Sequence, residues 1–300
     1  MFENISLFCC FKKGEAMDIL QKTLARALVF EGVGIHSGQQ EKIYCQPTLV
    51  NQGIIFEHVQ TGIQIIVGQT IPVSGDCATV LMEDGWRLST VEHFLAACAA
   101  VGLDNLLVLV EGNELPILDG SAIHFIEAFQ NTGFILFDFP IKKMRPRKKI
   151  CIEKGQGRIV IEPHSADQEA LFLSVSVKNN LLLSDASFDL EHRIEGVGFL
   201  QEIAAARTFG RFDQWDYLKQ RGLALGATRD NVIVWQDGAW LPALRWHDEP
   251  MRHKVLDCFG DLFLLGRFLF ARIIVCNSGH TLHKELIEYA LKNVDVWDYF

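Results

Sequence analysis

The sequence lacks long uninterrupted apolar runs. Of its 300 residues 49% are hydrophobic, yet the best candidate for a membrane span, FLLGRFLFARIIVC at residues 263–276, is interrupted by Arg267 and Arg272. A helix that crosses a bilayer needs about 20 largely apolar residues. The sequence therefore predicts no membrane span, and its hydrophobic content predicts a sizeable buried core in one or two domains.

Excess positive charge and closely spaced cysteine pairs are also missing. The formal net charge is −9, which argues against a general nucleic-acid binder, because such proteins need Lys and Arg to neutralise phosphates. The eight cysteines include no C-x-x-C pair. This pattern predicts reduced, mostly buried thiols in a cytosolic protein rather than a disulfide framework or a cysteine metal site.

The N-terminus lacks the features of a secretory signal. Its apolar part is short, its charges follow that part, and no small-residue cleavage site is evident. We interpret residues 1–16 as a tail or a mispredicted start, because Met17 opens a stretch that reads like a natural beginning.

What is present is a twofold alternation of strand and helix patterns around one basic segment. Six of the nine residues in 141–149 are basic and one is proline, which is typical of a solvated linker. We predict an N-terminal α+β domain at 17–140, a basic linker at 141–149 and a C-terminal α+β domain at 150–300.

Helices are predicted where apolar residues recur with helical spacing. Ser89 and Glu92 match a capping box ahead of an apolar run, and Ser121 is a candidate N-cap for a helix that ends at Gly133. In the second half, helices are predicted in FLQEIAAARTFG (199–210), RHKVLDCFGDLFLLG (252–266) and HTLHKELIEYALKNV (280–294).

A faint internal echo links the two halves. HFLAACAAVGL begins at His93 and HKVLDCFGDL begins at His253, and each pattern leads from a helix into a buried strand. Two similar halves that meet where these helices begin would bring the two histidines together, although chance similarity explains the echo equally well.

One helix carries a column of polar side chains. His253, Asp257 and Asp261 are spaced four residues apart and lie on one helical face. Two histidines and a carboxylate form an ordinary three-ligand set for catalytic zinc. His253 and Asp257 can bind one ion, with His93 or His280 as the third ligand, and Glu92 could take a proton from bound water.

Each of these residues also has an ordinary structural explanation. Glu92 could only cap its helix, and His93 could be a core histidine. Asp257 and Asp261 could form a solvated stripe beside Lys254. His280 could simply lead into a helix, and Thr208 could be a helical residue near a glycine stop. Their co-occurrence in one chain favours a shared site.

Several ordered motifs resemble the UDP-3-O-acyl-N-acetylglucosamine deacetylases, the zinc enzymes of lipid A biosynthesis. They run from about residue 20 to the end of the chain and are GVGIHSG (32–38), STVEHFLAACAAVGLDN (89–105), ELPILDGSA (114–122), ARTFG (206–210), RGLALG (221–226), RHKVLDCFGDL (252–262) and SGHTL (278–282).

The resemblance implies a role for each matching residue. The zinc ligands fall on His93, His253 and Asp257, and the general base falls on Glu92. His280 corresponds to a protonated histidine that aids oxyanion or leaving-group chemistry. The remaining roles fall on Asp261, which orients His280, on Thr208 near the oxyanion, and on Lys254, Phe209 and Arg211 toward the substrate.

The resemblance further implies zinc as the cofactor, with iron(II) as an alternative because imidazole and carboxylate suit both metals. It implies hydrolysis of the 2-acetamido group of a UDP-3-O-acyl-GlcNAc substrate by a monomer in the cytoplasm of a Gram-negative bacterium. The resemblance also implies two similar α+β domains, each a β-sheet layered against α-helices, with the active site at the domain interface. An insert near 210–235 would form a passage for the acyl chain.

Two residues depart from the family pattern. Arg211 stands where an apolar residue of the passage is expected, which affects the choice of chain length rather than the chemistry. His283 stands where asparagine is expected and creates H-x-x-H with His280. A surface histidine on the terminal helix explains His283, and a second zinc pair is the alternative.

Two rival functions remain. One is a zinc hydrolase of the same scaffold that acts on another amide. The other is a non-catalytic, zinc-stabilised binding protein, which would need the ligands but not Glu92, Thr208, His280 and Asp261.

Overall fold

The computed structural model describes residues 19–73, 75–164, 171–177, 186–192 and 197–300. The predicted tail or mispredicted start at 1–16 lies outside these residues. Among them, no helix has both the length and the apolar character needed to cross a bilayer. The described cysteines are free thiols, and Cys45, Cys98 and Cys258 are buried.

The described part of the first half contains ten strands and two helices. In chain order they are β1 (Leu20–Leu24), β2 (Leu28–Val33), β3 (Gln40–Gln46), β4 (Ile54–His58), β5 (Gln64–Ile66), β6 (Val80–Glu83), β7 (Trp86–Ser89), α1 (Glu92–Val101), β8 (Leu106–Val110), α2 (Ile123–Thr132), β9 (Phe134–Pro140) and β10 (Lys143–Pro146).

The second half continues in the same style. Its elements are β11 (Ile150–Lys154), β12 (Gly157–Glu162), β13 (Leu171–Val177), β14 (Ala186–His192), α3 (Gly198–Glu202), β15 (Phe209–Arg211), α4 (Trp215–Gln220), β16 (Ile233–Gln236), β17 (Ala239–Leu241), α5 (Glu249–Phe263), β18 (Phe268–Leu269), β19 (Arg272–Cys276), α6 (His280–Lys292) and β20 (Trp297–Tyr299).

Each half contains a five-stranded sheet, and the two sheets have the same topology. The strand orders are β2-β3-β8-β4-β5 and β11-β12-β19-β13-β14. In both sheets the central strand, β8 or β19, pairs antiparallel with one neighbour and parallel with the other. A helix precedes each central strand, α1 or α5, and another follows it, α2 or α6. The internal echo is therefore confirmed as a structural repeat, and the α+β class is confirmed.

The helices of the repeat pack between the sheets in one continuous apolar core. All ten residues of α1 are buried, and the largest cluster of buried side chains runs from Leu24 to Trp297. The helix α1 ends at Val101 and is followed by the C-cap residue Gly102, whose φ of 69° lies in the left-handed region where glycine carries no steric cost. This arrangement places the starts of α1 and α5 inside the molecule.

The basic segment 141–149 differs from a solvated linker. Its residues Lys143–Pro146 form β10, which pairs with β18 on one side and β20 on the other. Lys143 is only 4% exposed. Strand pairing overrides the charge pattern here, because the lysine stems can lie along apolar surface. The boundaries of the two domains remain a prediction.

Helix ends also differ from the capping predictions. The helix α1 begins at Glu92, and Ser89 instead belongs to β7. The helix α2 begins two residues after Ser121, whose hydroxyl accepts the N–H of Ile123. The helix predicted at 199–210 ends at Glu202, after which the chain turns toward β15.

Candidate active site

Backbone contact between α1 and α5 creates the site. A Cβ added at Gly260 of α5 would lie 2.0 Å from the carbonyl oxygen of Glu92 and 3.1 Å from the nitrogen of Ala96. Only glycine allows this approach, since real Cβ atoms do not come so close to backbone. The contact brings Glu92 and His93 against the polar column of α5.

Three of the predicted metal ligands converge at this crossing. The carboxylate oxygen Oδ1 of Asp257 lies 3.2 Å from Nε2 of His253 and 3.6 Å from Nε2 of His93. The two imidazole rings are nearly perpendicular, with centroids 4.9 Å apart. All three residues are buried, so the interpretation of Asp257 as part of a solvated stripe is wrong.

The donor set fits a divalent metal ion. Tetrahedral zinc with bonds near 2.0–2.1 Å holds its ligand atoms about 3.3 Å apart, and the two measured separations from Asp257 bracket this value. Nδ1 of His253 donates to the carbonyl oxygen of Ala206 at 3.0 Å. This bond leaves the lone pair of Nε2 available for a metal, as is usual for metal-binding histidines.

The shortened helix α3 explains the position of that carbonyl. The N–H of Arg207 donates to Glu249, and the N–H of Thr208 donates to Gly120, so neither continues a helix. The extended chain at 206–208 therefore presents the Ala206 carbonyl to His253. These hydrogen bonds to residues distant in sequence outweigh the helix propensity of the segment that follows Glu202.

Charge at the cluster favours an ionised carboxylate. Burial alone would raise the pKa of Asp257, but the charges of His253 and Lys254 bring this pKa well below its usual range. Nζ of Lys254 lies 3.3 Å from Oδ2 of Asp257. An anionic Asp257 is the form that a metal ligand requires.

Glu92 lies at the edge of the cluster as a buried carboxyl group. Its Oε2 accepts the N–H of Thr79 at 3.2 Å, and it does not cap α1. Burial is the main reason that the pKa of Glu92 rises to about 7, while His280 and His93 oppose the shift. A carboxyl group poised near neutral pH suits proton transfer.

A second cluster surrounds Asp261. Nδ1 of His280 and Nδ1 of His283 lie 2.8 and 2.7 Å from the same oxygen, Oδ2. The explanation of His283 as a surface histidine is wrong, because this residue is 3% exposed. The face of α6 that packs on α5 carries both rings, which sequence spacing alone did not reveal.

In this second cluster the carboxylate of Asp261 pairs with the two histidines. Burial opposes charge on each member, but the charge and hydrogen bonds of the histidines lower the pKa of Asp261 to about 2. Burial likewise lowers the pKa of His280, whereas Asp261, Glu92 and Asp257 raise it to about 9. This pairing with Asp261 favours the imidazolium form of His280.

The remaining predicted residues make different contacts. Thr208 is held by backbone hydrogen bonds to Gly120 and Ile233. The ring of Phe209 packs 6.1 Å from that of His253, and Nζ of Lys254 lies 5.4 Å from the Phe209 centroid. Arg211 instead forms a two-bond ion pair with Asp213. Roles for these residues toward substrate remain predictions.

Glu114 is a buried residue that sequence reasoning quoted in a motif but gave no role. Its carboxylate accepts the backbone N–H groups of His36 and Ser37 and the hydroxyl of Thr90 at 2.8–2.9 Å. Thr90 has a φ of 59°, which is rare for a β-branched residue. Glu114 thus ties the GIHSG loop (34–38) to the start of α1. Its position in the turn that follows the buried strand β8 was the available signal.

Comparison with known proteins identifies the family. The model of the UDP-3-O-acyl N-acetylglycosamine deacetylase family matches residues 21–292. The chain belongs to this family. It is therefore an enzyme, an amide hydrolase of the deacetylase type.

Individual relatives agree along nearly the whole length. The chain is 35% identical to the UDP-3-O-acyl-N-acetylglucosamine deacetylase of Syntrophotalea carbinolica, over 93% of this chain and 90% of that protein. Proteins of the same name from Pseudoalteromonas translucida and Haemophilus ducreyi are 32% and 33% identical, over 94% of this chain and 93% of theirs.

Proposed function

We propose that this deacetylase hydrolyses the 2-acetamido group of a UDP-3-O-(3-hydroxyacyl)-N-acetylglucosamine and releases acetate and the free amine, a step of lipid A biosynthesis. The observation that carries the proposal is the buried set of His93, His253 and Asp257 beside Glu92 and the paired His280. The names of the relatives supply the substrate class.

His93, His253 and Asp257 would hold a single divalent ion. Zinc suits two imidazoles and one carboxylate, and iron(II) is the alternative. When bound, such an ion would act as a Lewis acid toward the substrate carbonyl and would lower the pKa of a water molecule.

The protein's own residues move the protons. Glu92 accepts a proton from the attacking water, since its pKa near 7 gives a populated base at neutral pH. His280, held as an imidazolium by Asp261, donates to the oxyanion or to the departing amine. Thr208, fixed beside Phe209, contributes a hydroxyl donor. Lys254 and Phe209 line the approach of the substrate, and Arg211 contributes from the insert.

Action by a monomer in the cytoplasm of a Gram-negative bacterium belongs to the same proposal, and it rests on the family resemblance. The acyl passage near 210–235 is also part of it. The described structure there contains α4 and the strands β15 and β16, which pair with each other; β17 follows the range and completes the small sheet.

The test compares acetate release by wild type, Glu92→Gln and Glu127→Gln, with metal content measured on each sample. Glu127 is an exposed glutamate of α2 and serves as the matched control. We expect Glu92→Gln to hold one metal ion per chain yet turn over at least about a hundredfold more slowly, as loss of a general base predicts. Glu127→Gln should match wild type.

Two results would contradict the proposal. Equal turnover by Glu92→Gln would remove Glu92 as the base. A wild type that binds metal but releases no acetate from substrates of several acyl lengths would favour the metal-stabilised binding protein.

A further inference from the structure

Two imidazoles share one carboxylate oxygen at the α5–α6 contact. Oδ2 of Asp261 lies 2.8 Å from Nδ1 of His280 and 2.7 Å from Nδ1 of His283. The other oxygen, Oδ1, accepts the hydroxyl of Thr79 at 2.5 Å, and the same hydroxyl oxygen lies 3.0 Å from Nδ1 of His280. Donors therefore occupy both carboxylate oxygens.

The ring of His283 is held at both nitrogens. Its Nε2 lies 2.8 Å from the hydroxyl of Ser278. An ionised carboxylate only accepts hydrogen bonds, so Nδ1 of His283 carries the proton that is donated to Asp261. Asp261 and His283 are 1% and 3% exposed, so water does not compete for these bonds.

The same reasoning sets the tautomer of His280. Its Nδ1–H is committed to Asp261, which leaves Nε2 as the nitrogen that can exchange a proton with the substrate. The orientation of the His280 ring thus depends on the orientation of the Asp261 carboxylate. His283 contributes one of the bonds that define this orientation.

We propose that His283 is a positioning residue for His280, acting through its hydrogen bond to the shared oxygen of Asp261. The proposal rests on the acid role given to His280 under the proposed function. It adds a residue that does not touch the reacting atoms and that sequence spacing would place on the surface.

The charged and titratable groups that face the pair come from several elements. Asp261, Asp257 and Cys258 belong to α5, Glu92 belongs to α1, and His36 belongs to the GIHSG loop. Of these, only Asp261 accepts a hydrogen bond from both imidazoles among the bonds of the described residues. A loss of function in a His283 variant would therefore be transmitted through Asp261.

The test uses two variants that differ in one donor. In His283→Asn the amide nitrogen is attached to Cγ, as Nδ1 is, and can donate to Asp261. His283→Leu fills similar space without a donor. His124→Leu is the matched control, because His124 lies near the start of α2, the repeat partner of α6, and its side chain is 51% exposed.

Two measurements are made on the full-length, metal-loaded protein. The first is kcat and KM for acetate release, together with metal content. We expect His283→Leu to lose about tenfold or more in kcat, as is usual when an outer hydrogen-bond partner of a catalytic group is removed. KM and metal content should be unchanged, and His283→Asn should recover most of the loss.

The second measurement is independent of turnover. Proton NMR of ¹⁵N-histidine-labelled protein detects the carboxylate-bonded Nδ1–H of His280, assigned by its loss in His280→Gln. This resonance should broaden or disappear in His283→Leu and return in His283→Asn. A merely structural role for His283 would not distinguish the two variants in this way.

The outcomes separate cleanly. Unchanged kcat and an unchanged His280 resonance in His283→Leu would overturn the proposal, as would equal losses in both variants. If no sample releases acetate but the His280 resonance still follows the donor at position 283, the positioning role stands and the proposed function fails.

Discussion

The two halves of the molecule share one scaffold but divide the chemistry unequally. When His93 and His253 are aligned, α1 has Ala97 and Val101 where α5 has Asp257 and Asp261. Of these two helices, α1 contributes Glu92 and His93 at its start, and small residues follow. The second half contributes His253, Asp257 and Asp261 from α5, together with the two histidines of α6. A repeat that keeps its topology can therefore place function on one copy and close packing on the other.

The largest expected effect comes from making α5 resemble α1 at the metal cluster. Asp257→Ala introduces the residue of α1 at the aligned position, and the buried imidazoles lose their carboxylate partner. We expect loss of bound metal and activity below about a hundredth of wild type, since even outer partners of a metal site cost 10–100-fold. Metal analysis and acetate release measure this.

The control for that change is Asp230→Ala, at an exposed loop position. It should keep both metal and activity. Retention of one metal ion per chain by Asp257→Ala would show that the carboxylate is not a ligand.

The next effect concerns the close approach of the two helices. The residue of α1 aligned with Gly260 is Ala100, yet alanine at 260 would place Cβ 2.0 Å from the Glu92 carbonyl. We expect Gly260→Ala to lower the free energy of unfolding by about 3 kcal/mol or more, at the upper end for overpacking, and to displace Glu92 and His93. Urea denaturation measures the stability.

Gly210→Ala is the matched control, because no atom lies within 4 Å of its added Cβ. Its urea midpoint should stay near wild type. A Gly260→Ala protein with unchanged stability and metal content would contradict the close contact between the helices.

The smallest expected effect is a loss of stability at acidic pH. It comes from a difference between the equivalent edge strands β5 and β14. The buried side chain of edge strand β5 is Ile65, whereas the equivalent strand β14 buries His192. Burial lowers the pKa of His192 to about 4 from 6.5. The native state thus resists protonation, so stability is full above pH 6.5 and falls as the pH drops toward 4.

That shift corresponds to about 3 kcal/mol of lost stability by pH 4. His192→Leu should remove this part of the acid dependence while leaving stability near pH 7.5 little changed. Urea unfolding from pH 7.5 to pH 4 checks it. If the free energy of unfolding falls equally with pH in wild type and in His192→Leu, protonation of His192 does not cause the loss of stability in acid.

Prediction from sequence succeeded where one periodic pattern determined the outcome. The helices of the His93 and His253 segments, the terminal helix and the buried central strands all formed where apolar spacing placed them. Prediction failed where contacts with residues distant in sequence determined the secondary structure. Ser89 joined β7, the segment after Glu202 left its helix for bonds to Glu249 and Gly120, and Lys143 entered a strand.

The sequence by itself determined the α+β class, the family and the identity of the polar column, because these depend on periodicity and on ordered motifs. Only the tertiary structure decided which nitrogen faces which oxygen. It placed His283 on Asp261, Glu114 under the GIHSG loop and Gly260 against the backbone of Glu92. The physical reason is that hydrogen bonds and backbone contacts between residues far apart in the chain depend on ångström-scale packing, which no local pattern encodes.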